Sequence, residues 1–242
     1  MTSKTACRLL LPIFGAGVIL LAAPASAQQP LPIVEKLAKT YGLGSFGQIE
    51  AIRYTFKAQL PGINLARSWI WEPKTDRVTY EGKNPSGKAV KITYRRAEVG
   101  GPSAEAQKRI DSGFVNDQYW LILPFHVVWD GAAVEDVGMQ KLPSGTGSAE
   151  KVVVKYSSSG YSPGDTWDLY VGGDGRIEQM VYHRGGAAKP SVVIASWSDY
   201  KKAGPLLVSL DHRGTADGKP LHVFFSNVAV KLVGSNTWMA AR

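Results

Sequence analysis

The chain has 242 residues, 28 Lys and Arg against 20 Asp and Glu, a net charge of +8, 44% hydrophobic residues and a single cysteine. That cysteine, Cys7, lies ahead of the first apolar run in a segment that reads as a removable leader, so disulfides, thiolate catalysis and Cys-ligated metal sites are excluded from the mature chain. The apolar fraction suits one sizeable core, and no Pro/Ser-rich linker, charge block or internal repeat divides the sequence.

Residues 1–27 carry Lys4 and Arg8, an apolar run over 9–23, and Ala25-Ser26-Ala27 ahead of Gln28, the pattern of a signal peptide cleaved after Ala27. Pro12, Gly15 and Gly17 interrupt the run, which falls short of the roughly 20 apolar residues needed to span a bilayer. Cleavage leaves 215 residues, 28–242, as one exported, non-lipidated domain placed in the periplasm, and takes the net charge from +8 to +6. Such a charge favours anionic partners such as phospholipid headgroups or lipopolysaccharide. Because the basic residues are spread along the chain, solubility alone accounts for them equally well.

In the mature chain, Ile33, Val34 and Leu37 sit at helical spacing behind Pro30 and Pro32, with Gly42 and Gly44 as stop signals. From Gln48 the period changes to two. Ile52, Tyr54, Phe56 and Ala58 alternate with polar residues, Leu65, Trp69 and Trp71 share a face that Arg67 interrupts, and Val90, Ile92 and Tyr94 repeat the pattern beyond a short strand over 77–81. The intervening turns are too short for parallel crossovers, so these strands are antiparallel neighbours. Gly100-Gly101-Pro102 breaks the sheet pattern, and Ser103 is placed to cap a helix over 104–112.

The most apolar mature stretch, 116–130, follows with two Trp, a Tyr and a Phe. Tyr119, Trp120 and Leu123 have helical spacing and Pro124 limits a helix to the residues before it, so a short helical cover on a sheet is expected. Strands resume over 150–157, 165–172, 176–184, 192–197, 206–211, 221–227 and 228–233, with a hairpin at Asp174-Gly175. The expected fold is mainly β with a few helices: a large curved antiparallel sheet of about 10–11 strands, curled or closed, covered by short helices.

Enzymatic patterns fail individually. There is no zinc-helix, phosphate-loop or nucleophile-elbow motif. The hydroxyl cluster over 157–160 suits a turn, and the four histidines have no ligand spacing, although His183, His212 or His222 with Asp211 could assemble a metal site from separate strands. Asp165 with Asp168, or Asp130 with Glu135 and Asp136, are the carboxylates available for acid-base pairing; turn and strand-edge solvation explains them more simply. Scattered basic charge gives no nucleic-acid footprint. A non-enzymatic protein without a cofactor is expected. Seven Trp and ten Tyr exceed the need for core filling, since their polar atoms need partners when buried.

The order Trp69-x-Trp71-x-Pro73, Arg77-Val78-x-Tyr80, Asn116-Asp117-x-Tyr119-Trp120-Leu121-x-x-Pro124-Phe125, Ser196-Trp197-Ser198-Asp199-Tyr200-Lys201 and the run over 224–230 resembles the LolA/LolB-like superfamily, most closely its uncharacterised periplasmic relatives. The resemblance implies an incomplete β-barrel covered by helices and enclosing a hydrophobic cavity, which in the lipoprotein carriers receives acyl chains. Those carriers hold the helical lid with an inner-strand arginine; Arg53 and Arg67 stand in the corresponding early strands. The resulting expectation is a monomeric carrier of a lipid or lipoprotein acyl group, its cavity lined by Tyr54, Phe56, Trp69, Trp71, Tyr119, Trp120 and Trp167. The alternative is an envelope interaction module with a filled core and no small-molecule ligand.

Overall fold

The structure, a computed structural model, describes residues 31–84, 86–100, 105–157, 163–185 and 191–242. The expected leader over 1–27, the cap at Ser103 and most of the hydroxyl cluster lie outside these residues.

Helix α1 (Pro32–Tyr41) starts at a proline whose missing N–H falls where a helix has no internal acceptor, and it ends at Gly42 with φ 83°. A 3-10 segment (Leu43–Gln48) leads into four antiparallel strands: β1 (Ile49–Leu60), β2 (Ile63–Glu72), β3 (Arg77–Lys83) and β4 (Ala89–Arg95). Helix α2 (Glu105–Trp129) then crosses to a second series: β5 (Ala133–Lys141), β6 (Ser148–Lys155), β7 (Thr166–Val171), β8 (Ile177–His183), β9 (Val192–Ser196), β10 (Ser198–Ala203), β11 (Leu206–Ala216), β12 (Lys219–Leu232) and β13 (Trp238–Ala240).

The thirteen strands of the described residues belong to one antiparallel sheet in the order β4-β3-β2-β1-β12-β11-β9-β8-β7-β6-β5, with β10 on β11 and β13 on β12. The terminal strands β4 and β5 do not pair with each other, so the sheet is open rather than a closed barrel. The long return strand β12 pairs with β1 and joins the two series. Its register slips at Asn227, which takes φ 57°, a left-handed conformation asparagine tolerates, and the bulge keeps apolar residues on the inner face on both sides of the slip. Along one edge of β11 the partner changes from β9, opposite Gly214, to β10, opposite Asp211. A Cβ at Gly214 would lie 1.8 Å from the Ile194 carbonyl oxygen, so only glycine permits this close crossing.

The sheet curls around α2. Asp111 of α2 bonds to Tyr94 of β4, while Tyr119 stacks near Trp167 of β7. Eight residues of helix rise about 12 Å, whereas β4 and β7 are eight places apart in the strand order, about 38 Å across a flat sheet at about 4.8 Å per strand. Only a curved sheet brings both within reach. One continuous core results, joining α1, α2 and the inner faces of both strand series.

The sequence suggests two short helical pieces before and after residue 113; the structure has one element, broken at Ile122 (φ −132°, ψ 28°). Pro124 cannot donate to the carbonyl four residues back, so the first helical segment ends at Ile122 and Pro124 falls in the opening turn of the second, where proline is tolerated. The chain thereby keeps helix through the residues expected to stop it. Three strands were also not anticipated: β5, β10 and β13.

Candidate functional site

The site is built on α2, whose residues 114–127 are nearly all buried although the helix lies between two strand series. Asp117 falls on the same helical stripe as Ile110, Phe114 and Leu121, at three-to-four-residue spacing, and therefore faces the sheet. Its side chain is fully buried, and Arg67 of β2 grips it: Arg67 Nε donates to Oδ2 at 2.8 Å and Nη2 donates to Oδ1. Trp69 Nε1 donates to the same carboxylate at 2.8 Å and Asn116 Nδ2 at 3.1 Å. Burial pushes the Asp117 carboxyl up to about 6, against the pull of the Arg67 guanidinium and the other donors. Gly113 eases the contact, since a Cβ there would stand 3.1 Å from Arg67 Nη1 and the guanidinium would have to shift by a few tenths of an ångström.

A second tie holds the start of α2. The buried Asp111 accepts from Tyr94 OH at 3.0 Å and from Arg96 Nε at 2.9 Å. At the far end, Tyr119 donates to Asp130, His126 Nδ1 lies 3.0 Å from the same carboxylate, and the Tyr119 and His126 rings stack with centroids 4.1 Å apart. Burial would raise the Asp130 carboxyl, but the hydrogen bonds from His126 and Tyr119 outweigh it and hold the group below its ordinary value. Two buried carboxylates, Asp111 and Asp117, thus fasten α2 to the first strand series, and Asp130 closes the end of the helix on its own Tyr119 and His126.

Space remains on both flanks of α2. Against β2, β3 and β4 lies a groove of about 330 Å³, walled by Trp69, Tyr80, Val90, Ile92 and Ile110, with Arg67, Lys83 and Arg109 at its margin. Against β7–β9 lies a smaller cavity of about 230 Å³, bounded by Tyr119, Trp120, Trp167 and Tyr182. Between them the interior is filled: Phe56, Phe114, Leu121 and Leu123 are completely enclosed.

The sequence comparisons are silent: no family model matches the chain, and no curated protein matches it. A comparison of folds finds the crystal structure of a DUF1329 family protein from Desulfovibrio piger, with a TM-score of 0.45 and 11% sequence identity over 84% of this chain and 93% of that one.

The seven aromatics expected to line a cavity are all buried, but the structure divides them. Trp69 walls the larger groove; Tyr119, Trp120 and Trp167 border the smaller cavity. Tyr54 edges a polar depression that opens toward Thr55, Ser68 and Thr79. Phe56 packs edge-on against Phe225, and Trp71 against Phe46 and Phe114, and neither borders any of these spaces. The single lining surface expected from the sequence is therefore two flanks separated by a packed centre, because Phe114, Leu121 and Leu123 of α2 occupy the middle of the half-barrel.

The chemical candidates are dispersed. His222 Nε2 lies 2.6 Å from Asp211 Oδ1, while His212, the next residue along β11, points into the core among the rings of Trp120, Trp197 and Phe225. His183 approaches Asp168 at 3.5 Å, beside Lys151 at 2.8 Å. Asp165 accepts from Tyr182 OH at 3.0 Å and from the Gly185 amide at 2.8 Å; Glu135 pairs with Lys155, and Asp136 accepts from the Gly138 amide. Among the described residues no three His, Cys, Asp or Glu side chains form a metal-ligand group, and no helix is long and apolar enough to cross a membrane. Sequence reasoning missed Lys83, Arg109 and Asp117; an aspartate on an otherwise apolar helical stripe was the available signal for the last.

Proposed function

We propose that this protein is a non-enzymatic periplasmic binding or carrier protein that holds a hydrophobic, lipid-like ligand beside α2. The observation that carries this reading is the groove of about 330 Å³ between α2 and β2–β4, whose walls are mostly apolar and which lies within the usual volume range of small-molecule sites, about 300–1,000 Å³. Each methylene buried there would contribute about 0.8 kcal/mol, so a chain of moderate length binds without any covalent chemistry. The resemblance to LolA/LolB-like carriers supports the same reading. Arg67, gripping Asp117 from an inner strand, fits the role that those carriers give an inner-strand arginine, and Arg53, close to the Trp238 ring, does not.

Native mass spectrometry of the mature protein purified from the periplasm should show a co-purifying lipid-like mass. Adding fatty acid to delipidated protein should change the tryptophan fluorescence through Trp69 in the groove wall. Ile110→Asp, at a half-buried groove position, should abolish both signals while leaving the circular dichroism spectrum unchanged. Protein recovered empty and giving no fluorescence response to fatty acid or phospholipid contradicts the proposal and favours the envelope interaction module, which the packed centre of the half-barrel suits.

A further inference from the structure

The margin of the α2 groove is cationic, and among the described residues two of its three cations, Lys83 and Arg109, lack an acidic counterpart, whereas Arg67 is paired with Asp117. Lys83, at the end of β3, and Arg109, on the first half of α2, are exposed and border the same groove as Arg67. The carboxylates of the flanking elements are committed elsewhere. Glu81 pairs with Lys91 at 2.7 Å, Glu105 with Lys108 at 3.1 Å, Asp111 with Arg96 at 2.9 Å, and Asp117 with Arg67. Among the described residues neither Lys83 nor Arg109 has an acidic partner within ion-pair distance. The groove therefore joins an apolar floor, made by Val90, Ile92 and Ile110, to a rim of two unneutralised positive charges.

From this we infer that the groove takes a single-chain amphiphile with an anionic head, the chain lying on the apolar floor and the head between Lys83 and Arg109. The inference rests on the carrier reading above and narrows it. A volume of about 330 Å³ is near the lower limit of small-molecule sites, which suits one chain rather than a two-chain phospholipid. An anionic head gains from the two cations, and because they are solvent-exposed that gain is screened by salt. A neutral head of the same size gains nothing from them.

The test uses delipidated mature protein at low ionic strength and three probes, dodecanoate, dodecanol and acetate, followed by tryptophan fluorescence and titration calorimetry. Dodecanoate should bind about tenfold more tightly than dodecanol, a difference of about 1.4 kcal/mol. Raising the salt to about 0.5 M should shrink that advantage. The double substitution Lys83→Gln/Arg109→Gln, at two exposed positions, should remove it while changing dodecanol affinity by no more than about twofold. Equal affinity of the two amphiphiles, or a preference that survives the double substitution, overturns the anionic assignment and leaves the carrier reading intact. Acetate binding as tightly as dodecanoate overturns it in favour of a plain anion site. Failure of both amphiphiles to bind removes the carrier reading itself.

Discussion

Replacing Arg67 with methionine should cost about 3–5 kcal/mol of folding stability at neutral pH, the usual penalty for stranding one member of a buried ion pair. Asp117 is the more deeply buried partner, its side chain fully enclosed while Arg67 retains 20% exposure, so removing the arginine leaves the less tolerable charge behind. The cost should depend on pH in a definite direction. The Asp117 carboxyl already sits near 6, above its ordinary 3.8, because of burial. A group whose folded pKa is raised contributes stability below its unfolded pKa and loses it as pH rises through the folded value. Without Arg67 the pKa rises further, so the variant should be hurt less at pH 5 than at pH 7. The double substitution Arg67→Met/Asp117→Leu, which replaces the pair by apolar side chains, should recover most of the loss. Urea unfolding of the three proteins at the two pH values measures all of this; a single variant that loses under 1 kcal/mol, on the order of a surface pair, would mean that the pair does not fasten α2.

His212 should make the protein acid-sensitive. Burial pushes its imidazole down to about 3 from an ordinary 6.5, with the rings of Trp120, Trp197 and Phe225 around it. Between those values the unfolded chain binds a proton that the folded chain refuses. Stability from this site is therefore complete above about 6.5 and falls as pH drops toward about 3. Asp117 acts in the opposite sense between 3.8 and about 6, so the wild-type profile alone mixes the two. The comparison that isolates His212 is with His212→Leu, which cannot titrate. At about 1.4 kcal/mol per pKa unit, the stability of wild type relative to this variant should fall by roughly 3 kcal/mol between pH 7 and pH 4.5. A difference that stays constant across that interval would show that His212 becomes protonated without cost in the folded protein.

Where packing repeats the local pattern, the fold is legible in the sequence. The alternations from Ile52 to Ala58 and of Val152 with Val154 lie in β1 and β6, and Asp174-Gly175 makes the turn between β7 and β8. The unanticipated strands have weaker signatures for physical reasons. β5 pairs with β6 on one side only and is exposed at most of its positions, so burial imposes no alternation on it. β10 is a polar Ser-Asp-Tyr-Lys-Lys-Ala run held by backbone pairing with β11. Residues 221–227 and 228–233 read as two strands because Asn227 interrupts the period, whereas the bulge there keeps β12 continuous.

The candidate site was legible in part. The aromatics were visible as a set, but whether a buried aromatic borders space or fills it depends on what the opposite element contributes. Here Phe114, Leu121 and Leu123 of α2 fill the centre. Arg67 stood out as a charge on an apolar strand face, yet its partner lies 50 residues later and no local periodicity links the two. Lys83 and Arg109 look like ordinary surface residues until the fold sets them around one groove.

Photo-cross-linking with a diazirine-bearing fatty acid, followed by peptide mapping, tests most directly whether the flank of α2 is a ligand site. Adducts should concentrate on the walls formed by β3, β4 and the first half of α2, at Tyr80, Val90, Ile92 and Ile110, and unlabelled dodecanoate should compete them away. Adducts scattered over the outer sheet surface, or none above background, would contradict it.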